Sequence, residues 1–480
     1  MLVTHCFIYT HYHALNTKCS EIKQYIRFVS FQVYSIMNKT MTSSDSTING
    51  ALSMSDEHDA SKFNRKDLAW ALSLFGTAVG AGILFLPINA GLGGFWPLIF
   101  TTLLIGPMTY FSHRGLTRFV LSSKQENADI IDVVEEHFGR SASHVVAILY
   151  FFVFYPILLI YGSSITNTVD SFLINQLGWV QTSQGQEVTG IIPRWLLSLV
   201  LITMMVLIMT KSRELMLKIT SYLVYPLVVI LFCLSIYLIP NWNMTAMSME
   251  NVPDVGSFFS VIWMTLPVLV FSFNHSPAIS EFALVQRKNY KDQAMHKADK
   301  VLRLTTAALL AFIMFFVFSC VMSLSPAQIL EAKSQNVSVL TYLANSHDSY
   351  FISLFGPMIA IIAIMSSFFG HYLGANEGIK GFILRGYQAK NKQVCEKSLN
   401  LKISLFMILS IWAVALLNPS ILGMIESLGG PIIAALLYLM PMYATYKVPA
   451  LKKYRGYVSN IFVIVMGLLA TTAILYKLLG

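Results

Sequence analysis

Charge is what this sequence has least of. Only 12% of its 480 residues are Asp, Glu, Lys or Arg, about half the share of an ordinary soluble protein. A soluble chain of this length would form several domains with hydrated surfaces to cover, and the charge to cover them is missing. Cysteine is scarce too. Cys6, Cys19, Cys233, Cys320 and Cys395 stand far apart, with no CxxC pair and no histidine at ligand spacing, so neither a disulfide framework nor a metal site is in view. No Walker loop, HExxH or GxSxG occurs. A membrane-embedded enzyme would need such convergent residues, so enzymatic function is not expected and no cofactor is implied.

What the chain has instead is apolar residues, 55% of the total. They gather in eleven runs, at about 68–90, 95–120, 145–169, 191–210, 214–239, 257–283, 303–324, 351–377, 402–419, 428–446 and 456–478. A membrane helix needs about 20 such residues and a barrel strand only about 9–11, so the runs fit helices. Lipid offers no partners to open backbone. The expected class is an all-α integral membrane protein with eleven transmembrane helices.

Lys and Arg set the orientation, because cytoplasmic loops retain them. With the N-terminus in the cytoplasm, 30 of the 33 fall on that side, and only Arg194, Lys333 and Lys477 fall on the other. The formal net charge of +9 is then a topology signal, and it lacks the single basic face that a nucleic-acid partner requires. Residues 1–60 are polar, with Lys18, Glu21, Lys23 and Arg27 interrupting every apolar stretch, which excludes a signal-peptide core. They read as a disordered extension, with Met37, Met41 and Met54 as later candidate starts, or as a regulatory tail.

The third, fourth and fifth runs begin near 145, 191 and 214, and the eighth, ninth and tenth near 351, 402 and 428. Two sets of five, an odd number, must cross the bilayer in opposite senses. The spacing predicts an inverted 5+5 repeat, residues 65–240 and 255–447, with one extra helix at 456–478, in a transporter domain spanning 65–480.

The first helix of each half carries its own interruption. The first run is centred on GTAVGAG, with Gly76, Gly80 and Gly82 within seven residues. Each costs about 1 kcal/mol relative to alanine in a helix. A GxxxG packing face would explain Gly76 and Gly80 equally well. The sixth run tips the balance. Its middle, SFNHSP, sets Ser272, Asn274, His275 and Ser276 beside Pro277, and proline removes a backbone donor and disfavours helix before it. Paired mid-membrane breaks suit a transporter site in which half-helix N-termini hold a carboxylate and free carbonyls hold an ammonium group. The expected ligand is a small zwitterion, an amino acid. The candidate contacts are Thr77, Val79, Gly80, Ala81 and Gly82 on one side and Ser272, Phe273, Asn274, His275 and Ser276 on the other. Tyr155 is a further candidate, as a lid or stacking platform, although membrane aromatics more often pack.

The strings GTAVGAGILFLPINAGLGGFWPL, SHRGLTRFVLS, FSFNHSPAIS and SLGGP at 427–431 resemble the bacterial hydroxy/aromatic amino acid permeases, most of all their serine and threonine branch. The resemblance runs from about residue 65 to 480. It implies the amino acid–polyamine–organocation superfamily fold, a LeuT-like arrangement, and uptake of L-serine or L-threonine with a proton at the inner membrane. An aromatic amino acid is the alternative substrate, and sodium the alternative coupling ion. A membrane amino acid sensor is the reading from another class, but it would usually carry a larger soluble domain than these short loops provide.

Ionisable groups inside spans are functional suspects. His275 is read as a substrate contact or a hydrogen-bonded helix filler, while Glu281 and His371 qualify as candidates for proton coupling, though Glu281 could simply pair at the interface. His113 and Glu377 fall near run ends, where solvation explains them. Lys218 enters through the resemblance, since proton-coupled relatives of the superfamily place a lysine of the fifth span where others bind sodium; snorkelling is the plainer alternative. A sodium ion would instead use carbonyls near Thr77–Gly80 with the Ser366 and Ser367 hydroxyls. A zwitterion moving with one cation carries one net charge inward, worth about 2.3 kcal/mol per 100 mV, or roughly fiftyfold accumulation without ATP. The segment 325–350 is mildly amphipathic and reads as a helix covering the outer gate. The partners expected are thus the amino acid, the proton and the bilayer.

Overall fold

The computed structural model describes residues 63–125, 128–181, 189–211, 213–346, 349–388 and 395–479, with the backbone alone for Thr189, 211, 213–225, Gln388 and 474–479. The all-α class holds. Among the described residues nearly all regular structure is helical, with one two-residue hairpin pairing Val180–Gln181 (β1) and Thr189–Gly190 (β2).

The helices are α1 (Arg65–Ala78), α2 (Ala81–Leu92), α3 (Phe95–Val120), α4 (Ile130–Phe138), α5 (Arg140–Asn175), α6 (Arg194–Lys211), α7 (Arg213–Leu238), α8 (Val255–Ser272), α9 (Ile279–Tyr290), α10 (Ala294–Ser323), α11 (Pro326–Ser334), α12 (Val339–Ser346), α13 (Tyr350–Gln388), α14 (Glu396–Leu417), α15 (Ile421–Lys447) and α16 (Val458–Leu479). All eleven apolar runs lie on these helices. By length and composition, six stretches are suited to cross a membrane, one of them the 69 residues Val255–Ser323, and the bent pair α1–α2 adds a seventh; shorter apolar helices cover Arg194–Thr210, Pro226–Asn241 and Val458–Ala473.

The observed helices overrun the expected limits mainly at polar ends. α5 starts at Arg140 and α13 runs on to Gln388, since backbone hydrogen bonding continues past the apolar stretch. The amphipathic α4 was not expected. It opens with a capping box between Asp129 and Asp132 and is fastened to α13 by Arg385, 3.4 Å from Asp132. α15 contains two π-helical stretches, at Ile425–Gly429 and Ala435–Leu439.

The longest helices, α5 and α13, pack along one another, and α2 packs against α8. The two broken helices therefore meet inside the bundle. Segment 325–350 forms two helices, α11 and α12, both packed on α2. Between them Asn336 adopts a left-handed φ of 55°, which asparagine tolerates better than most residues. Its Nδ2 donates to Asn418 Oδ1 and the Pro419 carbonyl, and its Oδ1 accepts from the Ile421 N–H at 2.8 Å. Asn167 donates to the Asn336 carbonyl and to Asn418, and itself accepts from Arg194 at 2.6 Å. This network fastens the α11–α12 corner to α5, α6 and the start of α15. Asn336→Ala is expected to destabilise the fold by about 2 kcal/mol, from lost hydrogen bonds and a strained φ. A thermal melt in detergent checks this as a lowered Tm.

Candidate functional site

The first break lies at Val79–Gly80. α1 ends at Ala78, Val79 and Gly80 are extended (φ −72°, ψ 103° and φ −155°, ψ −157°), and α2 restarts at Ala81. The axis turns by 60°. The second lies at 273–275: α8 ends at Ser272, Ser276–Ala278 form a single 3-10 turn opened by Pro277, and α9 begins at Ile279. Glycine-rich sequence weakens the first helix and proline interrupts the second. In each case a half-helix C-terminus faces a half-helix N-terminus, leaving carbonyls and N–H groups without helical partners.

Close contact joins the two breaks. A Cβ on Gly82 would stand 2.8 Å from Ser272 Cα and 2.6 Å from the Phe271 ring. A Cβ on Gly80 would fall on Ser367 and lie 2.9 Å from the Tyr161 hydroxyl. Glycine is needed at both positions because neighbouring chain already fills the space of a side chain. At this junction several buried polar atoms have no hydrogen-bond partner: Ser272 Oγ, Asn274 Nδ2 and His275 Nε2. Buried polar atoms are normally paired, so such a cluster calls for an explanation.

The sequence candidates divide into two groups. Val79, Gly80, Ala81, Gly82, Ser272, Phe273, Asn274, His275 and Ser276 are all buried at the two breaks. Thr77 is one turn away, half-buried, with its hydroxyl donating to the Ser73 carbonyl at 2.9 Å. Tyr155 is not brought there. It stacks between Phe151 and Phe406, at 4.8 and 5.6 Å between ring centres, in the α5–α14 packing. The tyrosine at the junction is Tyr161, whose hydroxyl shares a 2.6 Å hydrogen bond with Ser367 Oγ. Tyr161 and Tyr155 look alike in sequence; six residues along a helix rotate the side chain well away from the earlier face.

Ser366 Oγ donates to the Ala363 carbonyl, so both hydroxyls of the suggested cation site are engaged with protein atoms. His371 is buried one turn beyond Ser367 and meets the Tyr161 ring edge-on at 5.6 Å. Glu281 is exposed, on a cavity of about 850 Å³ that it shares with Arg118, Arg287, Lys288 and Lys453. Lys218 lies in α7 with its side chain outside the described residues.

Two features escaped the sequence. His113, expected in solvent, is buried where α3 packs against α8, α9 and α15. Its ring stacks on His275, 3.5 Å between centres and 7° from parallel. Asn89 of α2 donates to Glu426 of α15 at 2.9 Å, tying the two helices together. Glu426 lies just before the tenth apolar run as read from sequence, so no hydropathy signal marked it.

The tryptophan/tyrosine permease family matches residues 65–476. The serine transporter SdaC of Escherichia coli (strain K12) is 50% identical over 422 residues, covering 87% of this chain and 96% of that protein. The Shigella flexneri serine transporter SdaC matches with the same identity and coverage. Among solved structures, the manganese transporter of Eremococcus coleocola superposes with a TM-score of 0.55 at 10% identity, covering 89% of this chain and 90% of that one. MhsT in complex with L-phenylalanine does so with a TM-score of 0.50 at 17% identity, covering 87% and 98%. The structural likenesses speak for the fold, and the family match and half-identical relatives for kinship: the chain belongs to the tryptophan/tyrosine permease family.

Proposed function

We propose that this permease carries L-serine, with L-threonine as a secondary substrate, into the cell together with a proton. The observation that carries the reading is the direct contact of two helix breaks, Gly82 against Ser272, amid buried polar atoms without partners. The N–H groups at the start of α2 suit the carboxylate of a zwitterion, and the carbonyls ending α1 and α8 suit its ammonium group. The orphaned Ser272 and Asn274 side chains suit a hydroxyl. The half-identical serine transporters favour serine over an aromatic substrate. Access alternates as the broken helices rock against the α5–α13 pair. The protein sits in the bacterial inner membrane with its N-terminus in the cytoplasm, the side that gathers 30 of 33 basic residues. The coupling proton requires a titratable carrier, for which Lys218, Glu281 and His371 stand as candidates.

The test is radiolabelled serine uptake in proteoliposomes, first as counterflow and then driven by one gradient at a time. Serine should accumulate against its gradient when the interior is made alkaline, and excess serine should compete better than tryptophan. Accumulation with sodium alone would overturn proton coupling, and tryptophan outcompeting serine would overturn the substrate.

A further inference from the structure

We propose that the proton is carried at His275 Nε2, with His113 holding that ring in position. This inference rests on the proton-symport reading above. Hydrogen bonding settles the tautomers, because a carbonyl only accepts and a backbone N–H only donates. His113 Nδ1 is 2.8 Å from the Thr109 carbonyl, so it carries the proton; His113 Nε2 accepts from the His275 N–H at 3.1 Å. Both nitrogens of His113 are thereby committed, and the ring is neutral. His275 Nδ1 is 3.2 Å from the Phe273 carbonyl and donates to it, while its Nε2 is buried without a partner. Of the four ring nitrogens, only His275 Nε2 can take a proton without breaking an existing bond. Parallel rings 3.5 Å apart tolerate one positive charge and oppose two, so the pair carries a single proton.

Coupling to substrate follows from charge. An imidazolium in this buried break needs an anion nearby. The amino acid supplies one when it enters the same junction, where Ser272 and Asn274 also lack partners. Proton and carboxylate therefore favour each other's binding, and neither crosses readily alone. The proton comes from water on the outer side onto Nε2 and leaves to water on the inner side, with no other bond changed. Other titratable groups on the elements packed around the pair include Arg114 and Arg118 on α3, Tyr438 (bonded to Ser112 beside His113) and Glu426 on α15, Glu281 on α9, Asp67 on α1, and His371 and Glu377 on α13.

The experiment counts protons taken up per serine bound, with a pH dye in weakly buffered detergent solution. The wild-type chain should take up about one. For His275→Gln, and for His275→Asn as a second variant, the ratio should fall to zero and a proton gradient should no longer drive accumulation. His113→Phe preserves a stacked ring but not the acceptor, and should lower the ratio; an unchanged ratio would overturn the positioning role. In the unmutated protein, ¹⁵N spectra of labelled histidines should show one ring nitrogen becoming protonated when serine is added. Proton uptake with no histidine changing, or an undiminished ratio in His275→Gln, would overturn the proposal and leave proton symport standing. A wild-type chain that takes up no proton and accumulates serine with sodium would instead remove the symport reading itself.

Discussion

Gly80→Ala is expected to reduce serine transport at least tenfold while protein still reaches the membrane. The added methyl would fall on Ser367 and stand 2.9 Å from the Tyr161 hydroxyl, two groups already joined by a 2.6 Å hydrogen bond. Neither can withdraw without breaking that bond or moving α13. Overpacking of this kind costs about 1–3 kcal/mol, or roughly 5- to 150-fold when it falls on a binding geometry. Gly82→Ala should be at least as damaging, since its methyl meets the Ser272 backbone at 2.8 Å. Gly370→Ala is the control. It lies one turn from Ser367 on the same helix, with nothing within 4 Å of the added carbon, and should leave transport unchanged. Initial uptake rates normalised to transporter in the membrane check all three. Normal uptake by Gly80→Ala would mean that the close approach of α2 to α13 is not part of the working site.

Asp67→Asn should destabilise the whole fold. Asp67 Oδ2 lies 2.6 Å from Lys297 Nζ, and the two side chains are only 3% and 1% exposed. The same carboxylate accepts from the Asn64 N–H at 2.8 Å, completing a capping box at the start of α1. Lys297 also lies 5.0 Å from the centre of the Tyr290 ring, and Asn64 donates to the Tyr290 hydroxyl. One ion pair thus ties α1, the end of α9 and the beginning of α10. Removing one member of a buried pair costs about 3–5 kcal/mol, because the other charge stays buried, whereas replacing both with apolar groups is often neutral. Asp67→Asn and Lys297→Met should each lower the melting temperature in detergent, and a double Asp67→Leu/Lys297→Met variant should recover most of the loss. If the double variant were as unstable as the sum of the singles, the interaction would not be a pairwise one.

The two breaks were legible from composition and proline placement, because a membrane helix has no solvent to repair lost hydrogen bonds. Val79–Gly80 and 273–275 fall inside the glycine-rich and SFNHSP segments that the sequence singled out. Side-chain direction was harder to read. Tyr155 pointed into packing and Tyr161 to the junction, and hydropathy is blind to which face of a helix a neighbour covers. His113 was misjudged for a related reason. Its position near the end of an apolar run suggested solvent, but α8, α9 and α15 pack over that end of α3.

Apolar run length, the one-sided distribution of Lys and Arg, and glycine and proline within the first and sixth runs were enough to specify a helical membrane protein with interrupted helices. These are local properties, and the bilayer enforces them segment by segment. Only the tertiary structure decided that the interruptions touch, that His113 stacks on His275, that Tyr161 meets Ser367, and that Asp67 and Lys297, 230 positions apart in the sequence, form one buried pair. Such meetings depend on how distant helices pack and rotate against each other, and no stretch of sequence carries that information by itself.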